Sequence, residues 1–427
     1  MKTIELGFGE TSQTVAVPGK NLLGIMTPNA IPAGLTGEAA VRFALANPVG
    51  TQVLSEIVKP GEKIAIITSD VTRPVPGGKI IPAVLEELWR AGVKPEDVTI
   101  VLALGSHRRH TIAEMERLVG SGVCNAVECV DSDPLDCVHM GETTLGTPVD
   151  ITRTVAEADR RICIGNIEYH YFAGYSGGAK AIMPGVSTRE AIQKNHGHML
   201  APGAKAGILG GNPVREDIEE AALFCPIDFI VNVVLDEHKE IIYATAGHHI
   251  HAHREGCAYL DRIYKKEIDA PADIVIASQG GAPKDINLYQ TQKALDNACR
   301  AVRRGGIVIL VGSCREGMGE VVFERWLVEA QTPGSLVERI KRDFQLGGHK
   351  AAAIALALEI ADIYLVSELP DGLVKSIFLS PFPTVQDALN AALDALGHDS
   401  SVLVMPFGGS ALPETKKVES GKLKVES

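Results

Sequence analysis

The side chains best suited to chemistry in this sequence fall just after its predicted strands. Arg73 lies in "SDVTRPVP", after the run "KIAIITS", and His107 follows the next run, "DVTIVLALG". His170 comes after a third run, "RRICIGN". Ligands of open parallel sheets lie outside the carboxyl ends of the strands, so we expect these side chains to converge on one site. There, a fixed guanidinium could bind a carboxylate and histidines could exchange protons near neutral pH.

Each of these residues also has a plainer interpretation. Arg73 could pair with a surface carboxylate, and His107 could be an ordinary loop residue whose neighbours in "HRRH" are solvated. Four histidines in "HHIHAH" suggest a metal, but no carboxylate or cysteine is spaced with them, so we interpret that cluster as structural or exposed. The placement of several candidates after successive strands is what favours a site.

A second feature is the stretch "HYFAGYSGGAKAIMPG", from His170 to Gly185, which contains Lys180. A surface turn is the simplest interpretation. Gly-rich loops before helices bind phosphate through backbone N–H groups, so a phosphate cradle in the Gly174–Lys180 loop is another. The letters "GYSGGAK" fit neither common nucleotide fingerprint. A lysine beside a histidine also suggests a lysine-tethered cofactor with a metal.

Two further pairs of residues lie on predicted helices. Ser187 and Glu190 have the spacing of a capping box, so a helix that carries His196 should begin near Thr188. His198 is two residues further on and cannot face the same site. In the second half of the chain, Gln290 and Lys293 are three apart on a helix predicted from Asp285 to Gly305, so they should share a face, with Gln292 on the surface.

The order of these elements predicts an α/β protein of two domains. Strand, loop and helix alternate from residue 63 onward, which is typical of a parallel sheet. We expect a Rossmann-like parallel-sheet domain over residues 1–268 and a smaller α/β domain over 269–427. The active site should lie in the cleft between them.

Composition limits the class of partner. The 427 residues are 45% hydrophobic and 22% charged, with a formal net charge of −12, which argues against a nucleic-acid-binding surface. No uncharged apolar run reaches the length of about 18 residues that a membrane helix needs. Residues 1–18 do not resemble a signal peptide, and the eight cysteines contain no C-x-x-C pair, so we expect reduced thiols and a cytoplasmic protein.

Five motifs, taken in order, identify a family. "DVTRP", "GSHR", "HYFAGYSGGAKAIMPG", "NHGH" and "GGAPKDINLYQTQKAL" together resemble the nickel-dependent lactate racemase family over residues 60–350. The resemblance implies a nickel-pincer nucleotide, a pyridinium mononucleotide with two sulfur-bearing arms, attached to Lys180 through a thioamide. By the same resemblance, His196 is the nickel ligand and His107 and His170 are the acid/base pair.

The remaining roles follow the same resemblance. Arg73, Gln290 and Lys293 match substrate-binding positions, and Gly177 and Gly178 would let the backbone approach the cofactor. Cofactor-biosynthesis proteins would be partners, and the substrate would be a small 2-hydroxyacid, lactate or a relative. Some members use a tryptophan in the site; this chain reads "KRDFQLGGHKAAA" there, with Phe344 and His349 as candidates to fill that role.

The implied chemistry suits these residue types. Removing a proton from the carbon beside a carboxylate would place negative charge next to negative charge. Hydride removal, with a base taking the hydroxyl proton, leaves a neutral ketone instead. Two enantiomers present their hydroxyls in different places, so two histidines are needed, each contributing about 10²- to 10⁴-fold. A phosphate-binding enzyme and a non-catalytic acid-binding relative are the competing hypotheses.

Overall fold

The computed structural model describes residues 1–73 and 75–416. The chain forms two compact units. One is the continuous segment Asn29–Ile263, and the other joins Met1–Pro28 to residues 264–416. Within the described residues, no helix has both the length and the apolar character to cross a membrane.

The strands are β1 (Lys2–Phe8), β2 (Thr11–Val17), β3 (Leu22–Ile25), β4 (Ile64–Ser69), β5 (Val98–Ala103), β6 (Glu128–Asp131), β7 (Cys137–Glu142), β8 (Pro148–Thr152), β9 (Arg160–Asn166), β10 (Tyr169–His170), β11 (Gly174–Tyr175), β12 (Phe229–Leu235), β13 (Ile241–Gly247), β14 (Lys265–Ile268), β15 (Ala272–Ser278), β16 (Val302–Val311), β17 (Ala361–Val366), β18 (Ser380–Phe382), β19 (Val402–Met405) and β20 (Leu412–Thr415). The helices are α1 (Gly37–Ala46), α2 (Leu54–Ile57), α3 (Gly77–Arg90), α4 (Ile112–Val119), α5 (Ser121–Ala126), α6 (Arg153–Ala156), α7 (Arg189–Gly197), α8 (Pro213–Phe224), α9 (His251–Tyr264), α10 (Leu288–Thr291), α11 (Lys293–Ala301), α12 (Val321–Glu329), α13 (Pro333–Arg342), α14 (Gly348–Leu358), α15 (Asp371–Ser376) and α16 (Val385–Leu396).

The unit formed by Asn29–Ile263 is built on a six-stranded sheet in the order β13-β12-β9-β4-β5-β6. All neighbouring strands are parallel except β13, which runs antiparallel to β12. The chain passes from β4 outward to β5 and β6, and then returns to β9 on the other side of β4. The carboxyl ends of β4 and β9 therefore form a topological switch point, where open α/β sheets bind ligands.

Burial explains why these segments are strands. β4 reads IAIITS and is buried on both faces except at its last residue, as a central parallel strand should be. The aliphatic core beneath the helices includes Ile66, Ile100, Ile162 and Val231, one from each of four neighbouring strands. The capping box predicted at Thr111 and Glu114 is present at the start of α4.

The other unit has its own six-stranded sheet, in the order β18-β17-β16-β15-β19-β3, with all neighbours parallel. The predicted α/β class with parallel-sheet domains is therefore confirmed. The first 28 residues, which the sequence placed in the N-terminal domain of residues 1–268, pack with the second unit instead, because β3 pairs with β19. No local sequence pattern predicts that pairing of distant segments.

Two helix predictions need correction. The helix expected from Asp285 to Gly305 is shorter: Asn287 caps α10, α11 ends at Ala301, and the "VRRGG" letters begin strand β16. Helix α7 is capped by Thr188, whose side chain accepts a hydrogen bond from the backbone N–H of Ala191, rather than by Ser187. Ser187 instead donates to the carbonyl of Ile182.

Candidate active site

His107 is held by a buried carboxylate at the end of β4. Its Nδ1 lies 2.6 Å from Oδ2 of Asp70, which is 3% exposed, and Thr72 donates to the other carboxylate oxygen at 2.7 Å. Burial opposes the charge on Asp70, but the hydrogen bond and positive charge of His107 outweigh it and hold the pKa of Asp70 below its usual value. An ionised carboxylate only accepts hydrogen bonds, so His107 carries its proton on Nδ1 and, when neutral, presents a lone pair at Nε2.

Arg73 and Glu168 meet across the switch point. Arg73 follows β4 and Glu168 follows β9, and an Nη1 proton of the guanidinium is donated to the carboxylate at 2.6 Å. The backbone N–H of Arg73 is also donated to the carbonyl of Asp70, so one loop positions both the arginine and the partner of His107. Strand β4, which leads to Arg73, lies between β9, which leads to His170, and β5, which leads to His107. Arg73 therefore follows the middle strand of the three.

His170 is fixed in the two-residue hairpin of β10 and β11, where it pairs with Gly174. Its Nδ1 accepts the backbone N–H of Ala173 at 3.3 Å, which leaves the proton of a neutral ring on Nε2. Burial lowers the pKa of His170 well below its usual value, and the nearby positive charges of Lys180 and Arg73 lower it further. In the free protein this ring is therefore neutral at pH 7.

Lys180 lies in the short 3-10 turn Gly178–Ala181, directly after the glycine loop, and is half-buried. Burial is the largest cause of a pKa well below the usual value for lysine, followed by the positive charges of Arg73 and Arg215. A lysine with a lowered pKa carries a larger neutral fraction, and the neutral amine is the nucleophilic form.

The glycine loop is not a surface turn, because Ala173, Tyr175 and Ala179 are almost fully buried. Several of its backbone N–H groups are already used inside the protein: that of Ser176 binds the carbonyl of Glu168, and that of Gly178 binds Asn232 Oδ1 at 2.9 Å. This arrangement disfavours a phosphate cradle, which would need those N–H groups.

Gly177 and Gly178 have a packing reason to be glycine. Both have positive φ, 75° and 59°, and a Cβ would lie 2.8 Å from Asn232 Oδ1 at Gly177 and 3.0 Å from the His253 ring at Gly178. Neighbouring protein atoms therefore account for both glycines, and their role in binding a cofactor stays a prediction.

His196 is in the last turn of α7 and is 8% exposed. Its ring and that of His170 both pack edge-on against Phe172, with centroid distances of 4.8 and 4.6 Å. The two imidazoles are thus no farther apart than the sum of those distances. Nδ1 of His196 lies 3.0 Å from Oδ1 of Asn195.

Three buried side chains that were not predicted as site residues hold these loops in place. Arg215 is fully buried and donates to the carbonyls of Ala173 and Tyr175 in the glycine loop. His253, from the histidine cluster, has Nε2 2.8 Å from the carbonyl oxygen of Ser176. His110, which was expected to be solvated, has a fully buried side chain; Nδ1 lies 2.6 Å from Asp131, and Nε2 accepts the backbone N–H of Val71.

Gln290 and Lys293 belong to the other compact unit, at the carboxyl side of its strand β15. Gln290 is in α10 and Lys293 begins α11, so the break at Gln292 separates two residues that were predicted to share one helix. Gln292 is 2% exposed rather than on the surface. Gln279, at the end of β15, donates to the carbonyl of Gln290 at 3.1 Å and fixes the start of this segment.

Trp326 is a residue of the protein core. Trp326 is fully buried, and its Nε1 donates to Gln345 Oε1 at 3.3 Å. Phe344 and His349, the candidates for an aromatic residue in the site, stack on each other with centroids 5.7 Å apart.

The Asn29–Ile263 unit thus brings His107, Arg73, His170, Lys180 and His196 to one edge of its sheet. Two histidines follow the strands on either side of the one that leads to Arg73, beside an amine with a lowered pKa and a buried imidazole. That arrangement is typical of an enzyme site for a small anion.

Comparison with known proteins defines the family. Residues 8–207 match the lactate racemase N-terminal domain and residues 268–412 match the lactate racemase C-terminal domain. The lactate racemase of Thermoanaerobacterium thermosaccharolyticum is 33% identical over 97% of this chain and 100% of its own length, and that of Lactiplantibacillus plantarum is 32% identical over 96% and 99%. This chain belongs to the lactate racemase family. Its similarity to these relatives supports a racemase function, which is a kind of isomerase activity.

Solved structures of other proteins have the same fold. The lactate racemase apoprotein from T. thermosaccharolyticum superposes with a TM-score of 0.91 at 32% identity, covering 97% of this chain and all of that one. A protein from Thermotoga maritima with 19% identity has a TM-score of 0.67 over 90% of this chain and all of its own, which shows the shared fold alone.

Proposed function

We propose that this protein racemises or epimerises a 2-hydroxycarboxylic acid, lactate or a related acid, by removing and returning a hydride at the carbon that bears the hydroxyl. The observation that carries the proposal is the convergence of His107, Arg73, His170, Lys180 and His196 at the switch point of one sheet. Family membership supports a racemase, and these side chains supply what the hydride route needs from a protein.

The residues present fit a nickel-pincer nucleotide. Within the described part of the chain, no three His, Cys, Asp or Glu side chains form a group that could hold a metal ion. A metal at His196 must then take most of its donors from a bound group, as the two sulfur-bearing arms would provide. Lys180, with its lowered pKa, can be acylated and would carry that group through a thioamide. When bound, the nucleotide supplies an acceptor for hydride, and other proteins would have to synthesise it.

The chain's own residues would hold the substrate and move its hydroxyl proton. Arg73 would bind the carboxylate: the ion pair with Glu168 uses one of the five N–H donors of the guanidinium, and others can form a bidentate contact. Gln290 and Lys293 are proposed to assist in binding the substrate.

The two histidines begin in different tautomers. His107 offers a lone pair at Nε2 and can take the hydroxyl proton, while His170 offers an N–H at Nε2 to a substrate oxygen. For the opposite enantiomer the roles reverse, and His170 must then accept the proton at Nε2. That step requires its other neutral tautomer, in which the proton is on Nδ1 and the 3.3 Å contact with the N–H of Ala173 is given up.

Two measurements test the proposal. The protein is produced together with the enzymes that make the cofactor, and its intact mass and nickel content are determined. We expect an adduct on Lys180 and nearly stoichiometric nickel. Lys180→Arg keeps the length and charge but has no acylable amine, so it should show neither.

The second measurement separates hydride transfer from proton abstraction. The loaded protein converts single enantiomers of lactate and other 2-hydroxyacids in deuterated water, and mass spectrometry follows the C2 hydrogen. Hydride return keeps the original hydrogen at C2, whereas proton abstraction exchanges it for deuterium. Unmodified Lys180 with no nickel, from cells that do modify a known relative, would reject the proposal, as would deuterium at C2.

A further inference from the structure

A chain of buried hydrogen bonds ends at His196. Asn195, His196 and Asp217 are 0%, 8% and 1% exposed, and Asp217 belongs to the neighbouring helix α8. His196 Nδ1 lies 3.0 Å from Asn195 Oδ1, and Asn195 Nδ2 donates to Asp217 Oδ2 at 2.7 Å.

The orientation of the Asn195 amide is determined by its other partners. Its Nδ2 faces two oxygens that can only accept, the carboxylate of Asp217 and the carbonyl of Val214 at 3.2 Å. If the amide were reversed, its oxygen would face those two acceptors without a hydrogen between them. Asn195 therefore presents Oδ1 to His196, and this oxygen can only accept.

Asp217 is itself fixed by two hydroxyl groups from the hairpin of β7 and β8. Thr143 donates to Oδ1, and Thr147 donates to Oδ2 at 2.8 Å. The hydroxyl oxygen of Thr143 also accepts the backbone N–H of Thr147 at 3.1 Å, so its own proton is directed to the carboxylate. Every member of this network thus has a defined donor or acceptor role.

We propose that Asn195, oriented by Asp217, is a positioning residue that holds His196 in the tautomer with its proton on Nδ1. In that tautomer the lone pair of the neutral ring is on Nε2, the nitrogen that would bind the metal. Metal-binding histidines depend on such a partner to fix the tautomer and direction of the ring, and losing it costs about 10- to 100-fold in metal affinity. The statement about the metal rests on the function proposed above, but the statement about the tautomer does not.

A purely structural role for the same network is the alternative. The hydrogen bonds also join α7 to α8 and to the hairpin. If that is their whole role, removing them would lower the stability of the fold and leave the tautomer of His196 unchanged. The two roles differ in one observable, because only a positioning role requires a single tautomer of His196.

The tautomer can be measured in the metal-free protein, before any cofactor is considered. Nitrogen-15 NMR of the imidazoles is recorded at about pH 8, above the ordinary histidine pKa of about 6.5, and His196 is assigned by the signal that His196→Gln removes. We expect a protonated Nδ1 and an unprotonated Nε2. A ring protonated on Nε2, or an even mixture of tautomers, would overturn the proposal without any variant having to fold.

Two variants then separate position from stability. Asn195→Leu has a similar size and removes the acceptor, so the preference for the Nδ1–H tautomer should be lost. Asp217→Asn can still accept from Asn195 and Thr147 through its oxygen and donate to Thr143 through its amide, so the tautomer should be kept. An unchanged tautomer in folded Asn195→Leu would contradict the positioning role.

Nickel retention is the second readout. After loading, wild type and both variants are dialysed against a chelator, and Asn195→Leu should lose nickel at a chelator concentration about 10- to 100-fold lower. Equal retention would overturn the positioning role. If the wild type shows the expected tautomer but carries no nickel under conditions that load a relative, the proposed function fails while the tautomer assignment is upheld.

Discussion

Replacing Asp70 with asparagine should change the tautomer of His107 without removing any side chain from the site. Thr72 donates both its hydroxyl and its backbone N–H to Oδ1 of Asp70, so the oxygen of an asparagine is needed there. Its NH2 then faces Nδ1 of His107, which must become an acceptor. The proton of the neutral ring moves to Nε2, so Nε2 no longer has the lone pair that would take the hydroxyl proton.

The expected loss is about 10²- to 10⁴-fold in kcat/KM, or about 3–5 kcal/mol of transition-state stabilisation. The variant should fold, because asparagine has nearly the same shape as aspartate and its oxygen keeps both hydrogen bonds from Thr72. Enantiomers have equal free energies, so kcat/KM must remain the same in both directions. Asp70→Asn must therefore slow conversion of both enantiomers equally, even if His107 is the base for only one.

The assay is polarimetry or chiral chromatography on cofactor-loaded protein, with adduct and nickel content matched to wild type. Asp150→Asn is the control, because Asp150 accepts a similar 2.7 Å bond from His139, which is exposed on the hairpin of β7 and β8. That variant should keep wild-type activity. If loaded Asp70→Asn retained activity within about threefold of wild type, the tautomer argument for His107 would be refuted.

Two further predictions concern stability. Arg215→Leu leaves the carbonyls of Ala173 and Tyr175 without their buried donor and should lower the free energy of unfolding in urea by about 2–5 kcal/mol. The control Arg254→Leu removes a half-exposed partner of Glu219 and should lower it by about 1 kcal/mol or less. Equal losses in the two variants would contradict the role of Arg215. Burial and then the charge of Lys350 lower the pKa of His349 to about 3, so at pH 5 the folded ring stays neutral while the unfolded one is protonated. The free energy of unfolding should therefore fall by about 2 kcal/mol from pH 6.5 to pH 5 on account of this residue, and His349→Gln should lose that part of the pH dependence; an unchanged slope would show that His349 titrates normally.

The placement of three candidate site residues at one edge of the sheet was predictable because a parallel sheet has a simple rule. Arg73, His107 and His170 each follow a buried strand, and carboxyl ends of parallel strands share one edge. The same rule could have pointed to Asp70, which is the first residue after β4 in "SDVTRP". Glu168 was detectable in the same way, two residues after β9.

The supporting partners were not predictable, because they come from segments that only the tertiary structure brings together. Asn195 precedes the selected histidine, but Asp217 is 22 residues away on another helix. His110 seemed solvated among arginines, yet its side chain is buried between Asp131 and the backbone of Val71. Local pattern also failed at "AVRRGG", where pairing of β16 with β15 and β17 replaced the expected end of a helix.

The order of three strands bears on why one site could serve two enantiomers. β4 lies between β5 and β9, and neighbouring strands are about 4.8 Å apart, so the strands that lead to His107 and His170 are separated by roughly 10 Å with Arg73 between them. A carboxylate held at Arg73 would leave the adjacent carbon within reach of a base from either side. The enantiomers could then share one carboxylate position and direct their hydroxyls to opposite histidines. A site with both histidines on the same side of Arg73 would have to move the carboxylate between turnovers, which the proposed arrangement would avoid.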